Sequence, residues 1–438
     1  MITLEKKREL FPYELDQLFE EGKNISSSEI EELKKKVKDI GEREIDKLYE
    51  ELINKEIRKN WEYVEPNELN EIRKLSNPPK EERHFRLEEI KENIRGAWFG
   101  RIVGNMLGKP VEGWSRENII EYLKAADSYP LDDYIPELIQ KNEKFKLSNY
   151  IKERGLRGKI KCALRDDDID YTIINLELLE EKGFNFTTYD VAEQWTSKIP
   201  YAMTYTAERE AYRNIVIGLK PPQTATFWNP FREWIGAQIR ADVFGYVLPG
   251  KPWEAAELAY RDATLSHVKN GVYGEMFIAA TISISFFLEN VLEAIEVGLS
   301  CIPRTSRLYE AIESCISTWK KGSNFEEAYN KLMNKYGKLN SVHTINNAVI
   351  VVLSLLYGEL NFSKSIGLAV TAGLDTDCNG ATVGSIVGAL VGEEKIENKW
   401  KEPLNDVVEA GLSGHKDLRI SELSERTLKL IESYKNRG

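Results

Sequence analysis

Residues 373–392 read GLDTDCNGATVGSIVGALVG, and two features of that stretch decide how the chain folds. Gly380, Gly384, Gly388 and Gly392 recur at four-residue spacing, with Ala381, Ser385 and Ala389 one step over. Positions four apart share one face of a helix. The run therefore predicts a helix with a stripe free of side chains, which another helix can approach very closely. In an apolar 20-mer such a stripe would suggest pairing inside a membrane. Here Asp377 before it and Glu393-Glu394 after it leave too short a span. Asp375-Thr376-Asp377 stands where this helix begins, and a turn or cap is the competing reading of its acids. The same spacing occurs at Gly96, Gly100, Gly104 and Gly108, predicting a second helix thinned on one side that ends before Pro110.

Further out, residues 276–288 and 348–357 are apolar nearly all round, which predicts helices surrounded by other helices. No sustained two-residue alternation appears between turn signals, so the chain reads as predominantly α. No repeat of solenoid length is evident. Residues 421–434, with Leu423, Leu430, Ile431 and Tyr434 in one stripe, predict a closing helix. Near the start, residues 28–60 carry ten acidic and nine basic side chains. Ser28 precedes Glu31 at capping-box spacing, and Ile30, Leu33, Val37 and Ile40 follow at helical spacing. After Gly41 the pattern resumes at Ile45, Leu48, Leu52 and Ile53. Two amphipathic helices are expected there, with solvated faces, and Asn77-Pro78-Pro79 breaks the pattern. We divide the chain into a charged N-terminal helical extension, 1–90, and a main domain, 91–438, that includes the closing helix.

The 438 residues carry 60 Lys and Arg against 71 Asp and Glu, a net charge of −11, which disfavours a nucleic-acid partner held by bulk charge. The four cysteines, Cys162, Cys301, Cys315 and Cys378, have no short metal-binding spacing, and the first ten residues lack the apolar core of a secretory signal. The default location is a reducing cytoplasm. No apolar run approaches the roughly 20 residues that cross a bilayer.

Chemistry concentrates in three places. Arg165-Asp166-Asp167-Asp168-Ile169-Asp170-Tyr171-Thr172 precedes the apolar run 173–179. A helix start favours negative charge, so an acidic cap is one reading. A cap uses only one oxygen and a first turn tolerates one or two more acids, so four carboxylates in five positions also point to a cation. Asp375 and Asp377 form the second place. Glu112, just past the first glycine helix, is the third, either an exposed loop acid or another ligand. These donors are oxygens, which suit Mg²⁺, Mn²⁺ or Ca²⁺ better than Zn²⁺. His267 stands apart, and neither a Gly-x-Ser-x-Gly elbow nor a His-Glu-x-x-His motif is present.

Taken together, these segments resemble the ADP-ribosylglycohydrolase family over roughly residues 94–392. The family's early Gly-Asp-x-x-Gly and glutamate are similar to Gly104-Asn105-Met106-Leu107-Gly108 and Glu112. Its Thr-Asp-Asp-Thr run falls on Asp166-Asp167-Asp168-Ile169, and its late Asp-x-Asp-Thr run on Asp375-Thr376-Asp377-Cys378. Its Asn-Gly-x-x-x-Arg segment resembles Ile235-Gly236-Ala237-Gln238-Ile239-Arg240, and its Thr-His segment Ser266-His267.

The resemblance implies an all-α orthogonal helical bundle that hydrolyses the bond at the ribose anomeric carbon of an ADP-ribosyl or related ribosyl substrate. It implies two Mg²⁺ ions, with Mn²⁺ as the substitute, held by Glu112, Asp166, Asp167, Asp168, Asp375, Asp377 and the Cys378 position. Asp168 or Glu112 would be the carboxylate acting at the anomeric carbon. Gln238, Arg240, His267 and Asn270 would line the substrate pocket, Arg240 serving a phosphate. The partner is then a small molecule or an ADP-ribosylated substrate. Departures stand at Asp166 and Ile169, each in place of Thr, at Ile235 in place of Asn, and at Asn105 in place of Asp. Cys378 brings a soft sulfur that Mg²⁺ coordinates poorly, so one ion or two remain open. Two rivals stay in view: a catalytically silent relative that binds ADP-ribose or a nucleotide, and an α-scaffold whose acids only cap helices.

Overall fold

The structure is a computed structural model that describes residues 2–80, 82–138 and 144–436. Helices make up almost all of its regular structure. Among the described residues the strands are Val407–Glu409 and Asp417–Arg419, a small antiparallel pair with Val407 opposite Arg419.

The two glycine stripes face each other. Helices Leu87–Gly108 and Thr376–Val391 run antiparallel, with Gly96 against Gly388, Gly100 against Gly384, Gly104 against Gly380, and Gly108 against Thr376. A Cβ at Gly96, Gly100, Gly104 or Gly108 would lie under 3.0 Å from backbone of the other helix, so the contact excludes even alanine there. Side chains secure its two ends. Asn93 Nδ2 donates to Ala389 O at 2.7 Å, and Thr376 Oγ1 donates to Gly108 O at 2.9 Å. The start of the second helix is thereby held beside the end of the first.

Around this pair lie the apolar helices. Every residue of Asn270–Ser285 is buried, and so is every residue of Thr344–Gly358 except Tyr357. Several of their hydroxyls donate to backbone, as in Thr281 Oγ1 to Phe277 O at 2.8 Å and Ser285 Oγ to Thr281 O at 2.7 Å. The closing helix, Ile420–Lys435, accepts Trp98 Nε1 at Thr427 Oγ1 at 3.0 Å.

The first residues form three helices, Leu4–Glu20, Ser27–Lys36 and Glu42–Ile53. The first of these was not expected from the sequence, and it contains Pro12. The second starts earlier than its capping-box reading: Ser26, not Ser28, is the cap, its Oγ accepting from Glu29 N at 3.2 Å. Leu10, Phe11, Leu15, Ile30, Ile45 and Leu52 form a core of their own that closes over Ala207, Trp228 and Phe231. Tyr49 stacks on Trp228 with ring centroids 4.2 Å apart.

A buried ionic clamp completes this junction. Arg232 pairs with Glu14 at 2.9 Å and Glu21 at 2.6 Å, and Lys269 reaches Glu21 at 2.9 Å. Arg307 pairs with Glu233 at 2.7 Å and Glu65 at 2.8 Å, while Gln17 Nε2 donates to Glu233 at 2.8 Å. Among the described residues no helix is long and apolar enough to cross a membrane.

Candidate metal centre

Three chain segments bring carboxylates to one point. The first is the end of the Leu87–Gly108 helix, where a 3₁₀ turn, Lys109–Val111, leads to Glu112. The second is the start of helix Asp167–Lys182. Asp166 caps it, Oδ1 accepting from Asp168 N at 3.1 Å. The third is the start of helix Thr376–Val391, entered through Gly373 and Leu374, both at positive φ. Leu374 at φ 61° is uncommon for a residue with a side chain, and such strain is held where the surroundings dictate it. Two helix N-termini thus lend positive potential to the same place.

Within it, donor atoms fall into two groups of three. Asp168, Asp377 and Cys378 offer ligand atoms within 4.8 Å of one another, as do Glu112, Asp375 and Asp377. Asp377 belongs to both groups. The first group is wholly buried, and the second opens to solvent at Glu112. Asp168 Oδ1 and Asp377 Oδ1 are buried with no hydrogen-bond partner, as are Asn105 Oδ1 and Asn379 Oδ1. Buried oxygens without donors are costly unless a cation meets them. The residues present fit a divalent ion, with the oxygen triplet better suited to Mg²⁺ or Mn²⁺ than the triplet containing sulfur.

The electrostatics agree. Burial, reinforced by neighbouring carboxylates, pushes Asp167, Asp168 and Asp377 well above the usual carboxylate range, and Asp375 up as well. Glu112 is pushed up to about 7 by desolvation first and then by Asp375 and Asp166. Burial raises the Cys378 thiol, so it is protonated at neutral pH. Asp166 differs. Burial opposes its ionisation, but Lys109 beside it and the amide of Asp168 hold it below the usual range. Lys109 Nζ donates to Asp166 Oδ2.

Several side chains missed in the sequence hold the site in shape. Asn105, at the position that departs from the family's Asp, donates from Nδ2 to Asp168 Oδ2 at 2.9 Å. Arg101, fully buried, donates to Asp168 O at 2.7 Å and to Thr172 Oγ1 at 2.8 Å, and pairs with Asp242 at 2.8 Å. Asn347 Oδ1 accepts from Asp375 N at 3.2 Å and Asn379 Nδ2 at 2.8 Å. Asn105 lay within a quoted motif and Lys109 directly after it. Their roles depend on which helix faces them, and the motif does not state that. Asp170 is bound by Arg165 at 2.7 Å and by Gly411 N at 2.8 Å.

The remaining residues named from the sequence belong to neither triplet. Asp167 is in neither triplet. Arg240 is fully buried and pairs with Glu208 and Asp262, each at 2.5 Å, and with Glu275 at 3.7 Å. Its guanidinium also lies over the rings of Tyr171 and Trp195. His267 is buried, with Nδ1 2.8 Å from Ser266 Oγ, and burial with Arg240 nearby keeps it neutral. Asn270 donates to Glu65 at 2.8 Å and Glu233 at 2.7 Å and accepts from Leu308 N, so it belongs to the clamp. Gln238 is fully buried with both amide atoms unpartnered. A cavity of about 800 Å³ lies elsewhere, between the N-terminal helices and the body, lined by Leu18, Tyr49, Trp228 and Arg232.

Comparison with known proteins gives a match by family and matches by shape. The family profile described as ADP-ribosylglycohydrolase matches residues 86–436. The chain is similar to a solved chain from an "ADP-ribosylglycohydrolase-related protein complex" at TM-score 0.48 and 17% identity, covering 79% of this chain and 99% of that one. No curated protein sequence matches.

Proposed function

The chain belongs to the ADP-ribosylglycohydrolase family and is a glycosidic hydrolase, and from that premise we propose that it cleaves an ADP-ribosyl or related ribosyl substrate at the ribose anomeric carbon in a metal-dependent reaction. One observation carries this reading: two donor triplets share Asp377, and buried oxygens of Asp168 and Asp377 lack partners.

Glu112, Asp375 and Asp377 would hold a divalent ion, Mg²⁺ or Mn²⁺, with Asp168 and Cys378 beside it. When bound, such an ion orients neighbouring ribose hydroxyls and lowers the pKa of water. The chain's own residues supply the remainder. Water adds at the anomeric carbon as the bond to the acceptor breaks, and the acceptor departs with the bonding pair. Of the two candidate carboxylates, Glu112 suits the task of taking the proton, because it is exposed while Asp168 is fully buried and tied to Asn105. Asp168 then acts electrostatically from behind. Residues 91–438 form the catalytic domain in this reading, and 1–90 an extension fastened to it by the clamp.

The test is turnover of ADP-ribosylated peptides and free ribosyl compounds by chelator-treated protein before and after Mg²⁺ or Mn²⁺ is returned. Activity that appears only with the ion supports the proposal, and equal turnover in chelator overturns it. Cys378 and Ile235, at positions where the family motifs carry Thr and Asn, favour a second reading, a non-hydrolysing binder. Tight ADP-ribose binding in calorimetry with no product under either condition would select it.

A further inference from the structure

Among the described residues one basic side chain, Lys109, is ion-paired with a carboxylate of this centre, and the glycine contact positions it. Thr376 seats on Gly108 O, so the next residue, Lys109, enters the space between Asp166 and the start of the Thr376–Val391 helix. Its stem is mostly buried, with 16% of the side chain exposed, and Nζ is ion-paired with Asp166 Oδ2. The other oxygen of Asp166 caps Asp168 N, so both are occupied. Asp166 belongs to neither donor triplet. Of the Asp168 oxygens, Oδ2 is taken by Asn105. Beyond Asp166, the carboxylates of Asp377 and Glu112 also act on the ammonium.

We propose that the Lys109 ammonium is a built-in cation that takes the place of one divalent ion, so that the centre binds a single ion, at Glu112, Asp375 and Asp377. Three observations converge on this. Asp166 is tied through both oxygens, to Lys109 and to the Asp168 amide, and belongs to neither triplet. The triplet outside the proposed ion site contains the Cys378 sulfur, a soft atom and a poor partner for Mg²⁺. Asp377, shared by both triplets, and Asp168 each keep an unpartnered oxygen, so the centre still calls for a cation after Lys109 is satisfied. The inference rests on the metal-dependent reading above and sets the number of ions, open between one and two from the sequence, at one.

Counting ions tests it. Chelator-treated full-length protein is titrated with Mn²⁺, and free Mn²⁺ is followed by electron paramagnetic resonance. The native chain is expected to bind one ion, Lys109→Arg one, and Lys109→Met two. Two ions on the native chain, or a count that stays at one in a folded Lys109→Met, would overturn the role of Lys109 and leave the metal reading intact. No bound ion on the native chain would overturn both. The native count needs no variant, so the proposal stays open to refutation even if Lys109→Met does not fold. Lys109→Gln, which keeps the stem and removes the charge, is expected to match Lys109→Met.

Discussion

Two of the carboxylate clusters in this protein, the clamp and the metal centre, are built on opposite terms. In the clamp, Glu14, Glu21, Glu65 and Glu233 meet Arg232, Arg307 and Lys269. In the centre, among the described residues, the one ion pair made by Glu112, Asp166, Asp168, Asp375 or Asp377 is that of Asp166 with Lys109. The consequence shows in their ionisation. Despite burial, Glu233 is held far below the usual range by Arg307 and Lys269, and Glu21 below it by Arg232 and Lys269, while burial still raises Glu14. Asp168 and Asp377 are driven the other way. Acidity itself therefore does not distinguish a ligand site from a fastening. The local shortfall of positive charge does, because a matched cluster has no call on an outside cation.

That contrast can be broken from either side. Arg232→Ala should have the largest effect, since it leaves Glu14 and Glu21 buried without their partner. A loss of about 3–5 kcal/mol is expected in denaturant unfolding, and a change under 1 kcal/mol would deny the clamp its structural role. Next, Asp377→Asn should lower hydrolysis by more than about a hundredfold at saturating Mn²⁺, as removal of a shared ligand would. The same substitution should raise stability in chelator by about 1–2 kcal/mol, because it removes a repelled buried charge. A fall in melting temperature would contradict the idea that the centre is charge-starved.

The smallest effect sharpens the comparison inside the clamp. Glu20 lies at its edge, with His343 Nε2 3.8 Å away. It is pushed up to about 8 by burial and then by Glu233, with Arg307 opposing. His343 is lowered to about 4 by burial, so it offers no charge at neutral pH. The folded chain keeps a proton on Glu20 that the unfolded chain releases above about 4.5. Its contribution to stability is complete below that pH and is lost as the pH rises through 8. Glu20→Gln should flatten the decline between pH 6 and 9 by roughly 1–2 kcal/mol, and an unchanged slope would count against it.

How far the sequence could be read follows the same division. Buried helices 276–288 and 348–357, the closing helix and the helix starts at Asp166 and Asp375 are written locally, in apolar periodicity and in acids where a dipole welcomes them. The glycine stripes were legible as thin helices. Their pairing was not, because spacing says that a face is bare without saying what covers it. The Leu4–Glu20 helix was missed for a related reason. Its charged residues Glu14 and Glu21 look solvated until Arg232, more than two hundred positions later, is folded against them. Arg240 shows the converse. Its place in a motif suggested a phosphate, while Glu208 and Asp262 surround it in space. Partners distant in the chain decide what each charge is for, and a single sequence does not pair them.

The bare contact between the two thin helices has one more consequence. A ladder of equal rungs meshes just as well when shifted by one rung, so the glycines set how near the helices lie but leave their phase open. A slide of one turn, about 6 Å, would keep glycine on glycine while carrying Asp377 away from Glu112 and Asp168. The phase is locked by two small bolts at opposite ends, Asn93 on Ala389 and Thr376 on Gly108. Alignment of the reactive groups thus depends on an amide and a hydroxyl that themselves touch no substrate.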